Sequence, residues 1–310
     1  MNYSEKENFQ QKNIISKSLL YRFSQFVGFL LGARFFVAIL LTFALYVSTF
    51  FLFNQDESFR KFVFDFKVHG IIFCTVLTIL AGGIINQFYD FEKDHIVKPF
   101  RTRIQSFIKQ KYFLYVYLFL CIISLTVAWL ISHNVFLFFV VYQFFMWFYS
   151  HKLSRILIVN NLTFVSLTLY PFFGMMVYYE TFSNKVLLMA IFLFLILLCI
   201  DIVKDTLTKS VDNAFGYITI PNYFKSKTTK AIIIFLLIVT MAVSMKLIMR
   251  TGISGFMAYY FSGGLFVMIL CIYLLLNSSR KSKFVTLNIL RFWVFVGIIA
   301  MLLNGIESKL

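Results

Sequence analysis

Six of the chain's 13 acidic residues lie in two short stretches. The first reads Asn86-Gln-Phe-Tyr-Asp90-Phe-Glu-Lys-Asp94, and the second Asp201-Ile-Val-Lys204-Asp205-Thr-Leu-Thr208-Lys-Ser-Val-Asp212. On a helix, Asn86, Asp90 and Asp94 fall within an arc of about 80°. Asp201, Asp205, Thr208 and Asp212 fall within about 60° if their helix continues that far. Each set is then one oxygen-rich stripe pointing one way. Like charges four residues apart repel, and at C-terminal helix ends they also oppose the helix dipole. A sequence that accepts both penalties twice calls for cations to offset them. Carboxylates with an amide oxygen suit hard cations, Mg²⁺ above all, which keeps several waters and shares phosphate oxygens. Lys98, Arg101, Lys152, Arg155 and Lys204 flank the acids and have the chemistry of an anion clamp. The site implied is two acid stripes, bridging Mg²⁺ ions and a diphosphate at the mouth of an apolar cavity. The plainer alternative is a set of solvated acids paired with neighbouring basic loops. Two stripes facing one compartment, in a chain so poor in acid, count against it. His95 and His151 read as loop residues. The scattered Cys74, Cys121, Cys199 and Cys271 read as small core residues, with no zinc spacing among them.

The elements that must position these stripes follow from composition. Of 310 residues, 60% are hydrophobic and 14% charged, against roughly 25% charged in an ordinary soluble domain. This excludes a soluble globule, a disordered chain and a disulfide scaffold. The apolar runs are continuous, which also excludes a transmembrane β-barrel. A spanning helix takes roughly 20 residues, and nine runs qualify, near 34–53, 68–90, 112–131, 134–150, 160–179, 185–204, 231–249, 255–277 and 285–305. The expected fold is all-α: a polytopic membrane bundle of nine transmembrane helices around a central cavity opening to the cytoplasmic side. Leu19–Leu31 is apolar but broken by Arg22 and Gln25, and reads as an amphipathic lead-in at the interface. The expected division is therefore a cytoplasmic N-terminal segment, 1–32, and a nine-helix domain, 33–310. No signal peptide is expected behind the polar N-terminus. With the N-terminus inside, inner segments carry 20 Lys and Arg and outer segments 7, as the positive-inside rule requires. Both stripes then close spans at the cytoplasmic face. The net charge of +16 is assigned to topology and anionic lipid headgroups, not to nucleic acid. The expected location is a bacterial inner membrane.

With these residues in view, the chain resembles the UbiA superfamily of intramembrane prenyltransferases. The family's Asn-x₃-Asp-x₃-Asp motif is matched by Asn86, Asp90 and Asp94, and its basic continuation by Lys98, Pro99 and Arg101. Tyr149-Ser150-His151-Lys152-Leu153-Ser154-Arg155 is similar to the family's Tyr-Ser-x-x-Leu-Lys-Arg segment, and Asn161 falls where an Asn often follows. The second motif is matched by Lys204, Asp205, Thr208 and Asp212, then Gly216, Thr219 and Pro221. Thr208 is a departure, standing where the family usually has a carboxylate. Either Asp205 and Asp212 suffice, or Asp201 one turn upstream supplies the missing charge.

The resemblance implies transfer of a polyprenyl group from its diphosphate to a lipid-soluble acceptor. It implies one Mg²⁺ at Asn86, Asp90 and Asp94 and a second at Asp205 and Asp212, with Asp201 and Thr208 as the remaining candidate ligands. Lys98, Arg101, Lys152, Arg155 and Lys204 would hold the diphosphate, and Tyr149 would stabilise the allylic cation or orient the acceptor. Segments 91–111 and 206–229 are the expected lids. The motif forms look closest to the branch that alkylates geranylgeranylglyceryl phosphate, with aromatic quinone precursors also open as acceptors. The competing readings are a transporter with acids on an ion path and an inactive relative. A transporter predicts mid-membrane acids and broken helices. Here the acids gather at one face and only Pro171 lies inside a span. The phospholipid-headgroup transferases are excluded by the absence of their Asp-Gly-x₂-Ala-Arg stretch.

Overall fold

Small polar side chains ahead of the apolar runs start the helices. In the computed structural model, which describes residues 22–23, 26–54, 58–105, 109–277 and 279–309, Asp65, Ser132 and Ser183 each accept backbone N–H bonds from the turn that follows. The long helices are α1 (Phe35–Ser48, prolonged by a π-helical turn Thr49–Phe53), α2 (Phe66–Val97), α3 (Gln110–Ile131), α4 (His133–His151) and α5 (Val159–Tyr178). They continue with α6 (Asn184–Ala214), α7 (Ser226–Arg250), α8 (Gly255–Leu276) and α9 (Arg280–Lys309). Among the described residues there is no strand. Eight of these helices are long and apolar enough to cross a membrane. The other, α4, has 19 residues, and its Asn, Gln, Tyr and His side chains dilute its hydropathy.

Two helices outrun their apolar segments. α2 continues to Val97 and α6 to Ala214, so both acid rows ride on unbroken helix. The polar extensions are held by side-chain pairs four residues apart: Asn86 with Asp90, Lys98 with Asp94, and Thr208 with Asp212. The expected lids are correspondingly shorter. Within the expected lids, 91–111 and 206–229, the described residues outside long helices are 98–105, 109 and 215–225. His95 and His151 also lie in last helical turns instead of loops, where a ring that can carry positive charge suits the helix dipole. Of the lead-in, residues 26–32 are helical, with Phe29 stacked on Phe113 of α3; residues 19–21 and 24–25 lie outside the described residues. Gly83 of α2 admits the turn that follows, since a Cβ there would meet the Ala33 carbonyl oxygen at 2.7 Å.

The helices pack as two lobes. α2, α3 and α4 bury one core around Val68, Ile72 and Phe139, while α6 to α9 bury another around Ile196, Leu237 and Met268. In the first lobe, Ser124 and Cys74 exchange bonds to each other's carbonyls at 3.1 and 3.3 Å, and Thr78 meets Ser124 at 3.2 Å. Small and hydroxyl side chains of this kind bind helices together where water is absent. α5 joins the lobes, giving Met175 to one core and Leu169 to the other. Pro171 within α5 has no N–H to offer the Leu167 carbonyl. The Tyr142 hydroxyl of α4 donates to that carbonyl instead, at 3.1 Å. α1 closes the ring between α2 and α9.

Candidate active site

The first acid row lies along the end of α2. Asn86 Nδ2 donates to Asp90 Oδ2 at 2.8 Å, with both residues part-buried. Asp94 is buried and holds Lys98 Nζ at 2.9 and 3.1 Å. Burial of the Lys98 ammonium itself pulls its pKa below the usual lysine range, against the opposing pull of Asp94. The second row, on α6, is more deeply buried: Asp201, Asp205 and Asp212 are 3%, 5% and 1% exposed. Asn161 of α5 donates to Asp201 Oδ2 at 2.7 Å and to Asp205 Oδ2 at 2.9 Å. Lys204 pairs with Asp201 and lies 3.6 Å from Asp205 Oδ1. Thr208 Oγ1 donates to Asp212 Oδ2 at 2.6 Å, so the hydroxyl at this position serves a carboxylate instead of replacing one.

Two contacts join the rows. Lys93 of α2 pairs with Asp212 of α6 at 2.8 Å. Tyr217, in the segment after α6, donates its hydroxyl to Asp90 Oδ1. The Tyr217 ring also carries Lys93 Nζ at 3.8 Å from its centroid and the Arg155 guanidinium at 5.4 Å. Burial, and then the Asp90 charge, push the Tyr217 phenol well above its ordinary range, so it remains a hydrogen-bond donor. The backbone adds a further tie, with Ile218 N donating to Arg155 O at 3.2 Å. Gly216 makes this reversal possible at φ 72°, a conformation favourable for glycine.

The residues expected at the site therefore divide by their partners. Asn86, Asp90, Asp205, Thr208 and Asp212 gather at the mouth with Lys93 and Tyr217 between the rows. Asp94 with Lys98 forms the outer edge. Asp201 with Lys204 lies one turn deeper, and Tyr149 is within electrostatic reach of Asp201, Lys204, Asp205 and Asp90. Lys152 is exposed at the end of α4, and Arg155 is exposed where it faces Tyr217. Arg101 donates to the Leu31 carbonyl at 2.6 Å and stays within electrostatic reach of Asp94. Burial and the neighbouring Arg34 lower the Arg101 pKa. Four contributors were not on the sequence-derived site: Lys93, Tyr217, Asn161 as a bridge, and Arg291 of α9, which lies within electrostatic reach of Asp201. Lys93 had a visible signal, since it lies beside the first stripe at three residues from Asp90. Tyr217 had none short of tertiary structure.

Beneath the acids lies an apolar cavity of about 180 Å³, between α1, α5, α6, α8 and α9. Leu197 lines it one helical turn below Asp201, and Thr168 lines it two turns below Asn161 on α5. Phe172, Phe192, Phe261 and Met301 complete its walls. The acid mouth therefore opens above a chamber suited to hydrocarbon.

The donor set also bears on metal binding. Among the described residues, no three His, Cys, Asp or Glu side chains converge into a closed metal cage. The carboxylates stand in smaller groups, neutralised by Lys93, Lys98 and Lys204. Such open sites fit Mg²⁺, which takes one or two carboxylates and completes its shell with water and substrate phosphates. They do not fit zinc, which favours closed His and Cys sets.

The sequence model of the UbiA prenyltransferase family matches residues 45–296. A digeranylgeranylglyceryl phosphate synthase of Thermococcus gammatolerans is 27% identical over 244 residues, covering 77% of this chain and 87% of that protein. A solved structure concerned with digeranylgeranylglyceryl phosphate synthase in membranes shares the fold with a TM-score of 0.69 at 18% identity, over 91% of this chain and 99% of the other. The UbiA homologue of Aeropyrum pernix K1, in its apo form, gives 0.64 at 16% identity, over 88% and 97% of the two chains. The UbiA homologue of Archaeoglobus fulgidus bound to GPP and Mg²⁺ gives 0.62 at 13% identity, over 88% and 99%. At these identities the structural likeness carries the fold alone.

Proposed function

The chain belongs to the UbiA prenyltransferase family and is an integral-membrane prenyltransferase; from that premise we propose a Mg²⁺-dependent transfer of a polyprenyl group from its diphosphate to a lipid-soluble acceptor. The observation that carries this reading is the pair of links across the mouth. Lys93 with Asp212, and Tyr217 with Asp90, keep the two acid rows facing each other above one apolar chamber.

Asn86, Asp90 and Asp94 would hold one Mg²⁺, and Asp205 and Asp212 a second, with Asp201 in reserve one turn deeper and Thr208 orienting Asp212. When bound, the ions neutralise charge developing on the departing diphosphate. Lys93, Lys98 and Lys204, freed from their carboxylates, turn to phosphate oxygens, joined by Lys152 and Arg155. Arg101, with Nη2 on the Leu31 carbonyl, joins them through its other N–H groups. Breaking the allylic C–O bond leaves a carbocation at the top of the chamber, where the Tyr149 ring, near both rows, offers its face or orients the acceptor. The chamber takes the prenyl tail. The segment 215–225, which carries Tyr217 to Asp90, is the proposed lid that would keep water from the cation, which would otherwise yield an alcohol.

The acceptor is proposed to be geranylgeranylglyceryl phosphate-like, supported by the motif forms and by the synthase of Thermococcus gammatolerans. An aromatic quinone precursor is the second candidate. We further propose nine spans, α4 included, with 33–310 as the catalytic bundle and 1–32 as its lead-in. The N-terminus and the mouth face the cytoplasm of a bacterial inner membrane, as the distribution of Lys and Arg supports. Isolated membranes given labelled geranylgeranyl diphosphate, Mg²⁺ and each acceptor test the reading. Transfer that stops on chelation and in Asp90→Ala supports it; transfer indifferent to both removes it.

A further inference from the structure

A second groove lies on the other side of α6, at the same end of the bundle as the acid mouth. Thr206, Lys209, Ser210 and Asn222 line it together with Arg280 and Lys283 of α9, around a volume of about 520 Å³. Its α6 residues are turned about 120° from the acid row, counting along the helix, so it is separate from the mouth. Three cations line it and no carboxylate does. Among the described residues, the side chains of Lys209, Arg280 and Lys283 have no ion-pair partner. Arg280 and Lys283 are three residues apart in the first turn of α9 and so share one face. Of the neutral groups in the lining, the Thr206 hydroxyl and Asn222 Nδ2 already donate to the Val203 and Tyr217 carbonyls at 2.7 and 3.1 Å, which leaves the three cations and the Ser210 hydroxyl to meet a ligand. Unpaired cations beside a hydroxyl match the donors that hold a phosphate. The groove also lies where α6 runs out of its apolar segment and α9 begins, which is the depth of lipid headgroups.

We propose that this groove binds a phosphorylated headgroup, separate from the diphosphate at the acid mouth. The ligand is a glycerophosphate anion, either carried by a bilayer phospholipid or free. The proposal rests on the groove's own residues and does not depend on the transfer reaction.

The test uses the full chain purified in neutral detergent with phosphatidylcholine, titrated with phosphatidylglycerol or with glycerol 3-phosphate while the thermal midpoint is followed. Phosphatidylglycerol should raise the midpoint saturably. Lys209→Gln with Lys283→Gln should raise the half-saturating amount by roughly 30-fold, on the order of fivefold per cation removed. The control pair Lys225→Gln with Lys227→Gln, exposed cations outside the groove, should leave it unchanged. Saturation by phosphatidylglycerol alone assigns the site to a lipid; equal, variant-sensitive saturation by glycerol 3-phosphate shows that the phosphate suffices. Should the double variant fail to fold, Lys209→Gln alone and added chloride should each weaken the effect. If the groove and control pairs respond alike, or phosphatidylglycerol has no saturable effect, the proposal is overturned.

Discussion

The two acid rows differ in how they are held. The α2 row takes most of its support from its own helix: Asn86 donates to part-buried Asp90, and Lys98 pairs with buried Asp94. The Tyr217 hydroxyl on Asp90 is its one side-chain bond among the described residues from a distant segment. The α6 row is buried and stitched across helices, with Asn161 of α5 donating to two carboxylates at once. A group supported by its own helix can lose its partner without disturbing the bundle. A buried group bridging helices cannot, because the abandoned partner is left without water to replace it. The first row is thus free to respond to ligands, while the second serves the ligand and the fold together.

The largest expected effect treats the rows alike. Chelation should take prenyl transfer to background and added Mg²⁺ should restore it; full transfer in the presence of chelator contradicts a shared ion. Next, Asp90→Ala and Asp205→Ala should each lower turnover by about 10²–10³-fold, but only Asp205→Ala should also lower the thermal midpoint. Equal midpoints would erase the distinction between the rows. Asp201→Asn should destabilise the protein by about 1.5–3 kcal/mol by weakening charged hydrogen bonds, as read from denaturation in detergent. No change there would make Asp201 a bystander. Tyr217→Phe should lower kcat/KM by about tenfold through loss of its bond to Asp90, with the midpoint nearly unmoved. Smallest of all, Thr208→Asp should keep activity and lower the half-saturating Mg²⁺ by roughly 2–5-fold. If it instead confers activity on an inert wild type, the chain is a lapsed member of its family.

Periodicity and spacing made much of this legible. Each apolar run falls on a helix among the described residues, eight of them long and apolar enough to span and the run 134–150 on the 19-residue α4, and the stripe at Asp201–Asp212 lies on continuous helix as its spacing required. The polar ends of α2 and α6 were not legible from hydropathy, which falls where Asp90 and Asp205 begin although side-chain pairs carry the helix onward. Tyr217 and Asp90 are 127 residues apart, so no local pattern links them. The bond from Arg101 to the Leu31 carbonyl, 70 residues away, is likewise invisible in any local pattern. Arg291 is a charge inside the apolar run 285–305. Its approach to Asp201 becomes visible only once α9 packs on α6.

Whether both rows act on one diphosphate through shared ions is decided by a double-mutant cycle. Binding of labelled geranylgeranyl diphosphate would be measured with and without Mg²⁺ in wild type, Asp90→Asn, Asp205→Asn and the double variant. Coupling of at least about 1 kcal/mol, present only with Mg²⁺, is the expected result. Additive losses, or binding indifferent to Mg²⁺ in all four proteins, would contradict it.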